Sequence, residues 1–180
     1  MPRLFFALQP APAQSVALAM AIAPLVNELR GQAVPASNLH ATLCFIGAVP
    51  EEKCARLREV AAQVRGHHAT LSFDALEFWE KPEILVATAG ECASARDLSV
   101  AIGSAVLAAG FTPDIKPFRA HLTLARKIKR RVAKEHDWPR ALERVEVHCE
   151  EFVLMESRRD ASGSIYRVVE SWPLYADGSR

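Results

Sequence analysis

The sequence contains few cysteines, and none of them is arranged as a metal or redox pair. The four cysteines are widely spaced and never form a C-x-x-C motif: Cys44, Cys54, Cys92 and Cys149. This spacing argues against a zinc knuckle, a dithiol redox centre and a disulfide-stapled mini-protein. We expect four reduced thiols that pack as small hydrophobic side chains in a reducing compartment.

The chain also lacks a long hydrophobic run and an excess of either charge. No apolar stretch approaches the roughly 18 residues that a membrane span needs, and the Ala-rich segment 11–29 is interrupted by Gln14, Pro24 and Glu28. No export signal is visible at the N-terminus. The 22 basic and 21 acidic residues give a net charge of +1, which excludes a bulk nucleic-acid coat. We expect a cytoplasmic protein without a membrane partner.

The chain does contain enough apolar material for one packed domain. Half of its 180 residues are hydrophobic and 24% are charged, which is typical of a folded protein. No low-complexity linker divides it, so residues 1–180 are expected to form a single domain built of two similar halves. Because predicted hairpins outnumber possible crossovers, the order of strands and helices predicts an α+β fold with mostly antiparallel sheet.

Three segment predictions bear on where a site can form. Segment 11–29 predicts a helix that Pro24 kinks or divides in two, because an interior proline costs about 3 kcal/mol. Segment 38–47 predicts a strand with His40, Thr42 and Cys44 on one face. Segments 145–156 and 165–174 predict the two strands of a long hairpin around residues 160–163.

The tripeptide His-x-Thr occurs three times, each time followed by leucine. The copies are His40-Ala41-Thr42-Leu43, His68-Ala69-Thr70-Leu71 and His121-Leu122-Thr123-Leu124. Because side chains alternate along a strand, each histidine and its threonine share one face. Two such strands facing each other would present two imidazoles and two hydroxyls to a shared cleft.

That layout suits in-line attack at a phosphodiester. A neutral imidazole takes a proton from the nucleophile, and a protonated imidazole gives one to the leaving oxygen. The ordinary histidine pKa near 6.5 lets both forms coexist at neutral pH. Threonine hydroxyls can donate to the non-bridging phosphate oxygens, where charge builds in the transition state. This chemistry requires no metal and no cofactor.

Other interpretations of these residues are weaker but remain open. A single His-x-Thr in a strand is most often a partly buried histidine beside a threonine that suits a strand. Two histidines 81 positions apart could join a metal site, although no acidic or cysteine partner lies at ligand spacing near either. Cys44 is better explained as a core residue than as a nucleophile.

The residues around each copy favour His40 and His121 as the pair. His68 directly follows His67 and a glycine, so it is expected at the solvated start of a strand. His121 is followed five residues later by Arg126, whose guanidinium can reach the same phosphate. The pair is therefore predicted to be His40 and His121, with His68 as a coincidental match.

At these residues the sequence resembles the 2H phosphoesterase superfamily, and within it the RNA 2′,3′-cyclic phosphodiesterases, also called 2′-5′ RNA ligase-like proteins. Segment 3–8 resembles the first strand of that family. Segment 38–47 is similar to its first catalytic motif and segment 118–126 to its second. The resemblance implies a bilobal α+β fold of the LigT-like type, in which two pseudo-symmetric, mostly antiparallel sheets line a central groove with helices outside.

The resemblance also implies a role for each site residue. His40 is similar to the general acid that protonates the departing ribose 3′ oxygen, and His121 to the base that activates water. Thr42 and Thr123 match hydroxyl donors to the phosphate, and Arg126 matches a phosphate clamp. The implied reaction is metal-independent hydrolysis of an RNA 2′,3′-cyclic phosphate end to a 2′-phosphate, with reversible 2′-5′ RNA ligation as a possible second reaction.

The implied partner is an RNA with a 2′,3′-cyclic phosphate end, tRNA-like or an oligonucleotide, bound by a monomer. Two alternatives stay open: a non-catalytic module that binds RNA ends or nucleotides, and a phosphodiesterase for small cyclic nucleotides. The basic run 126–131 is either a solvated loop or a contact to the RNA backbone. Phe5, Trp79 and Tyr166 are either base-stacking surfaces or core residues.

Overall fold

The computed structural model describes residues 1–160 and 163–176. Its strands and helices follow one another along the chain in a mixed order, and the strands belong to two sheets. The elements are β1 (Arg3–Leu8), α1 (Pro12–Glu28), β2 (Gln32–Ala33), a 3₁₀ turn (Ala36–Asn38), β3 (Ala41–Ala48), a second 3₁₀ turn (Glu51–Lys53), α2 (Cys54–Ala61), β4 (Ala69–Trp79), β5 (Ile84–Ala89), α3 (Ala93–Ala108), β6 (His121–Arg126), α4 (Arg130–Ala133), β7 (Arg140–Cys149), β8 (Glu151–Asp160) and β9 (Gly163–Pro173).

The strands form two antiparallel sheets, which confirms the predicted α+β class. The first sheet has the order β3-β1-β8-β9 and the second has the order β2-β6-β5-β4-β7. Strand β1 lies inside the first sheet and is apolar on both faces. Phe6 packs toward the main core that the helices cover, whereas Phe5 and Ala7 form a smaller cluster with Val153 and Met155 on the opposite face.

The predicted strand 145–156 is wrong, because it is two strands that belong to different sheets. Strand β7 ends at Cys149, which pairs with Ala69, and β8 begins at Glu151, which pairs with Pro173. The burial pattern changes at this point: alternate residues are buried up to Cys149, and every residue from Phe152 onward is buried as far as Glu156. The predicted turn at 160–163 includes residues 161 and 162, which lie outside the described residues.

Helix α1 is not divided at Pro24. It runs from Pro12 to Glu28 as a single helix with Pro24 inside. Pro24 is exposed, so water can bond to the backbone carbonyl that its missing N–H leaves without a partner. The buried face on either side of it, which includes Leu18, Ile22 and Val26, packs into the core and offsets the local cost.

Strand β3 contains irregular pairing that changes which side chains share a face. Phe6 pairs with Cys44 and Ala7 pairs with Thr42, so Leu43 is passed over in the register. A bulge of this kind shifts the alternation of side chains by one. Thr42 therefore lies on the face of Ala7, while Cys44 is buried in the main core. The prediction that His40, Thr42 and Cys44 share a face is wrong at Cys44 for this reason.

The thiols of Cys44 and Cys149 are free and buried, as predicted for small hydrophobic side chains. Burial raises the pKa of Cys44 to about 11 and that of Cys149 to about 12. Both groups are therefore neutral thiols at ordinary pH. Cys54 and Cys92 are free and half-buried. In residues 1–160 and 163–176, no helix has the length and apolar character for crossing a membrane.

The first prediction concerns the main core. Phe6 is fully buried, with its ring 6.1 Å from the Phe152 ring and 6.0 Å from the Trp172 ring, measured between centroids. Replacing it by alanine should lower the free energy of unfolding by about 3–5 kcal/mol, because transfer energy and a cavity act together. Urea unfolding measures this change. Val16→Ala, at a helix position that is 50% exposed, should stay within about 0.5 kcal/mol; equal losses would contradict the packing described.

Candidate active site

His40 lies between the 3₁₀ turn Ala36–Asn38 and β3, one residue outside the strand. Its Nδ1 is 2.7 Å from the backbone carbonyl oxygen of Asn38, two residues earlier. Because a carbonyl only accepts, Nδ1 carries the proton in the neutral ring. The other ring nitrogen, Nε2, is then left to accept or donate a proton at the groove.

The side chain of Asn38 joins β9 to this turn through two hydrogen bonds. Asn38 is buried, its Nδ2 donates to the carbonyl of Ser164 at 2.9 Å, and its Oδ1 accepts from the backbone N–H of Tyr166 at 3.4 Å. One residue therefore orients the His40 ring through its carbonyl and places Tyr166 beside that ring through its amide.

Aromatic rings surround His40. The Phe5 ring lies 4.8 Å away and the Tyr166 ring meets it edge-on at 5.0 Å, measured between centroids. Burial lowers the pKa of His40 to about 4, and the charges of Arg126 and His121 lower it as well, against the opposing effect of the hydrogen bond to Asn38. His40 is therefore neutral in the free protein at pH 7.

His121 stands at the start of β6 with the same arrangement. Its Nδ1 is 2.8 Å from the carbonyl oxygen of Arg119, again two residues earlier. The Trp79 ring lies 4.7 Å from its ring. Burial lowers the pKa of His121, and the charge of Arg119 adds to this, while the Nδ1 hydrogen bond and Glu77 act in the opposite direction.

The two motifs also share a bulge at the leucine after the threonine. In β6, Val86 pairs with Thr123 and Leu85 pairs with Ala125, so Leu124 is passed over as Leu43 is in β3. The extra residue turns the strand, which brings Arg126 to the face of Thr123 although the two are three residues apart. This explains in physical terms how a guanidinium five residues after His121 can point into the groove.

Contacts across the groove join the two motifs. The Nη2 of Arg126 lies 3.5 Å from the hydroxyl of Tyr166, whose ring touches His40. The charges of Arg126 and His121 both act on His40. Thr42 on β3 and Thr123 on β6 are half-buried residues, each two positions after its histidine. These contacts bring His40, Tyr166 and Arg126 together, with His121 close enough for its charge to act on His40.

The third histidine is not in the groove. His68 is exposed, immediately before β4, and its Nε2 donates to the carbonyl of Leu174 at 3.2 Å. The basic run is only partly a solvated loop: Ile128 is fully buried, and Arg130 lies 3.8 Å from a carboxylate oxygen of Glu83 and 4.0 Å from one of Glu80. Across residues 1–160 and 163–176, no three His, Cys, Asp or Glu side chains are grouped as metal ligands would be.

Solved structures with a similar fold include a phosphoesterase and LigT of E. coli. The crystal structure of a phosphoesterase superposes with a TM-score of 0.84 at 26% identity, covering 97% of this chain and 98% of that chain. The crystal structure of E. coli LigT in its apo form gives a TM-score of 0.82 at 26% identity, over 97% and 98% of the two chains. The fold is therefore that of the LigT-like phosphoesterases, as the resemblance predicted.

Sequence comparison narrows this class to one family. The family model of the 2′-5′ RNA ligase superfamily matches residues 12–161. The RNA 2′,3′-cyclic phosphodiesterase of Archaeoglobus fulgidus is 30% identical over 156 residues, which cover 81% of this chain and 88% of the relative. The chain belongs to the 2′-5′ RNA ligase superfamily, and it is an enzyme of the phosphodiesterase class.

Sequence reasoning missed three residues that surround the histidines, two that bind them directly and one that binds Arg119. Asn38 and Arg119 each stand two residues before a motif histidine and supply the carbonyl that binds its Nδ1. That shared offset was visible in the sequence and could have identified both. Glu77, which binds Arg119 from a neighbouring part of the sheet, carries no such signal because it is 42 residues away from Arg119 in the chain.

The second prediction concerns the protonation of the groove. In the free protein His40 should titrate at a pKa of about 4. Arg126→Gln should raise that pKa, because removing a positive charge makes the protonated imidazole easier to form. NMR of the imidazole C–H groups during a pH titration measures both values. Lys129→Gln, an exposed change of the same charge, should leave the pKa of His40 in place; a wild-type His40 titrating near 6.5 would contradict the burial described.

Proposed function

We propose that this enzyme hydrolyses the 2′,3′-cyclic phosphate at the end of an RNA to a 2′-phosphate, using His40 and His121 as its acid and base. The observation that carries the proposal is that each imidazole has its Nδ1 bound to a backbone carbonyl. Each Nε2 is therefore free for proton transfer. A module that only binds RNA ends has no need for two imidazoles held in this way.

In the proposed reaction, water attacks phosphorus and the bond from phosphorus to the ribose 3′ oxygen breaks. One histidine takes a proton from the water, and the other gives a proton to the 3′ oxygen. The products are a free 3′ hydroxyl and a 2′-phosphate monoester. We assign the acid to His40 and the base to His121, following the family resemblance. With a 5′ hydroxyl in place of water, the same step joins two RNA ends through a 2′-5′ phosphodiester, and in the reverse of that ligation the two histidines exchange roles.

The burial of both histidines sets a condition on this mechanism. Both pKa values are lowered in the free protein, that of His40 to about 4. The reaction nevertheless needs one imidazole in its protonated form. A bound phosphate supplies a negative charge in the groove, which favours the protonated ring and offsets the guanidinium of Arg126. Substrate binding and protonation of the acid are therefore coupled.

The remaining groove residues suit the charge of the reacting phosphate. The hydroxyls of Thr42 and Thr123 can donate to its non-bridging oxygens. The contact of Arg126 to the Tyr166 hydroxyl is long, at 3.5 Å, so its guanidinium can turn to hold two phosphate oxygens. These donors would stabilise the negative charge that shifts among the oxygens as the ring opens.

The names of related proteins support an RNA substrate. Relatives from Archaeoglobus fulgidus and Geobacillus stearothermophilus are RNA 2′,3′-cyclic phosphodiesterases. LigT of E. coli has been crystallised with 3′-AMP and with phosphate, at 26% identity to this chain in both cases. LigT thus forms complexes with a nucleotide and with phosphate, which agrees with the phosphate donors proposed for this chain.

The third prediction separates the two groove histidines from the exposed one. His40→Ala and His121→Ala should each lower kcat/KM on a 2′,3′-cyclic phosphate about 10²–10⁴-fold, the usual contribution of a general acid or base. His68→Ala is the matched control, since it removes the histidine of the same tripeptide, and it should remain within a few-fold of wild type. A crippled His68 variant beside an active His40 variant would overturn the assignment.

The fourth prediction separates Arg126 from the basic residues that follow it. Arg126→Ala should lower kcat on a mononucleotide 2′,3′-cyclic phosphate, because its charge acts on the reacting group. Neutralising Lys129, Arg130 and Arg131 together should raise KM for an oligonucleotide and weaken its salt dependence, while the mononucleotide rate is nearly unchanged. Steady-state rates at two salt concentrations test both. If the triple variant lost as much kcat on the mononucleotide as Arg126→Ala, the separate roles assigned to Arg126 and to the three later residues would be wrong.

A further inference from the structure

The carboxylate of Glu77 on β4 is the centre of a hydrogen-bonded group beside the groove. Its two oxygens accept from Nη2 of Arg119 at 2.6 and 2.7 Å. They also accept from Nε1 of Trp79 at 3.0 Å and from the hydroxyl of Thr88, on β5, at 3.2 Å. Thr88 is buried, and the Glu77 side chain is only 26% exposed. Glu77 therefore has its acceptor capacity filled by side chains of three different segments.

Two of these partners are the residues that touch His121. The Trp79 ring packs against the His121 ring, and the backbone carbonyl of Arg119 accepts from its Nδ1. The Arg119 guanidinium also lies over the Trp79 ring, 5.1 Å from its centroid. Glu77 does not contact His121, so any effect it has on the imidazole passes through Trp79 and Arg119 or through its charge.

We propose that Glu77 is a positioning residue for His121, which fixes the ring through Trp79 and Arg119 and neutralises the Arg119 charge so that the imidazole can take up a proton. This inference rests on the proposed function for its catalytic meaning, since it assumes that proton transfer at His121 matters. It adds a residue and a physical role that the two histidine motifs do not contain.

The charges that face His121 come from both sides of the groove. Arg119, from the loop before β6, Glu77, from β4, and Arg126, at the end of β6, lie on its own side, and His40 lies on the side of the other motif. The Arg119 charge lowers the pKa of His121 and the Glu77 charge raises it. Because these two opposing charges are bound to each other, each limits the effect of the other on the imidazole.

The ion pair between Glu77 and Arg119 allows an experiment that distinguishes an effect of charge on His121 from an effect of packing alone. Glu77→Gln keeps an oxygen to accept from Trp79 and Thr88 but leaves the Arg119 charge unbalanced, so the pKa of His121 should fall. Arg119→Met keeps the backbone carbonyl but leaves the Glu77 charge unbalanced, so the pKa of His121 should rise. Shifts of about 0.5 pH unit or more in opposite directions are expected. A loss of packing alone would move both variants the same way.

NMR titration of the His121 imidazole measures these shifts without requiring any activity. The double variant carrying both changes should return toward the wild-type value. Glu80→Gln, a nearby exposed carboxylate whose charge does not act on His121, should leave it unmoved. No shift in either single variant, or shifts of the same sign, would overturn the proposal. If the Glu77 variant does not fold, Arg119→Met decides the matter: the proposal then requires that this variant raises the pKa of His121.

The pH dependence of kcat/KM separates this inference from the proposed function. If His121 is catalytic, the limbs of the profile that report the free enzyme should move in the same direction as its NMR titration. If the NMR shifts occur and the rate profile does not follow, the role of Glu77 stands and the catalytic role of His121 is wrong. If neither moves, the inference about Glu77 is wrong.

Discussion

Tyr166 connects the two sheets at the point where His40 and Arg126 meet. Its ring touches the His40 ring edge-on and packs against Phe5, and its hydroxyl lies within 3.5 Å of Arg126 on the other sheet. The buried amide of Asn38 holds the Tyr166 backbone in this place. The relative position of the two motifs, and with it any joint action on one phosphate, depends on this contact between a strand of each sheet.

The aromatic surroundings that position the histidines also oppose their protonation. Phe5 and Tyr166 exclude water from His40, and desolvation disfavours the charged form of any imidazole. A histidine that must donate a proton therefore depends on the substrate to provide a compensating negative charge. This coupling keeps His40 neutral when the groove is empty, and it confines the protonated ring to the complex in which a proton is needed.

The sequence was sufficient to predict the α+β class, the family, the strand that begins at His121 and the strand that begins directly after His40. The sequence was insufficient to predict side-chain positions that depend on the pairing of segments far apart in the chain. The bulges at Leu43 and Leu124 decide which side chains share a face, and they depend on the register with β1 and β5. Helix α1 continues through Pro24 because packing on both sides of it outweighs a local cost. The contacts of Glu77 arise only when three segments come together.

One measurement tests the central claim most directly: the product formed from a short RNA bearing a 2′,3′-cyclic phosphate, incubated with the enzyme and an excess of EDTA. The account predicts complete conversion to the 2′-phosphate at the same rate with and without the chelator, since two imidazoles supply the proton transfers. Phosphorus NMR distinguishes the 2′-phosphate from the 3′ isomer. Formation of the 3′-phosphate, or loss of turnover on chelation and its return with added metal, would contradict the account.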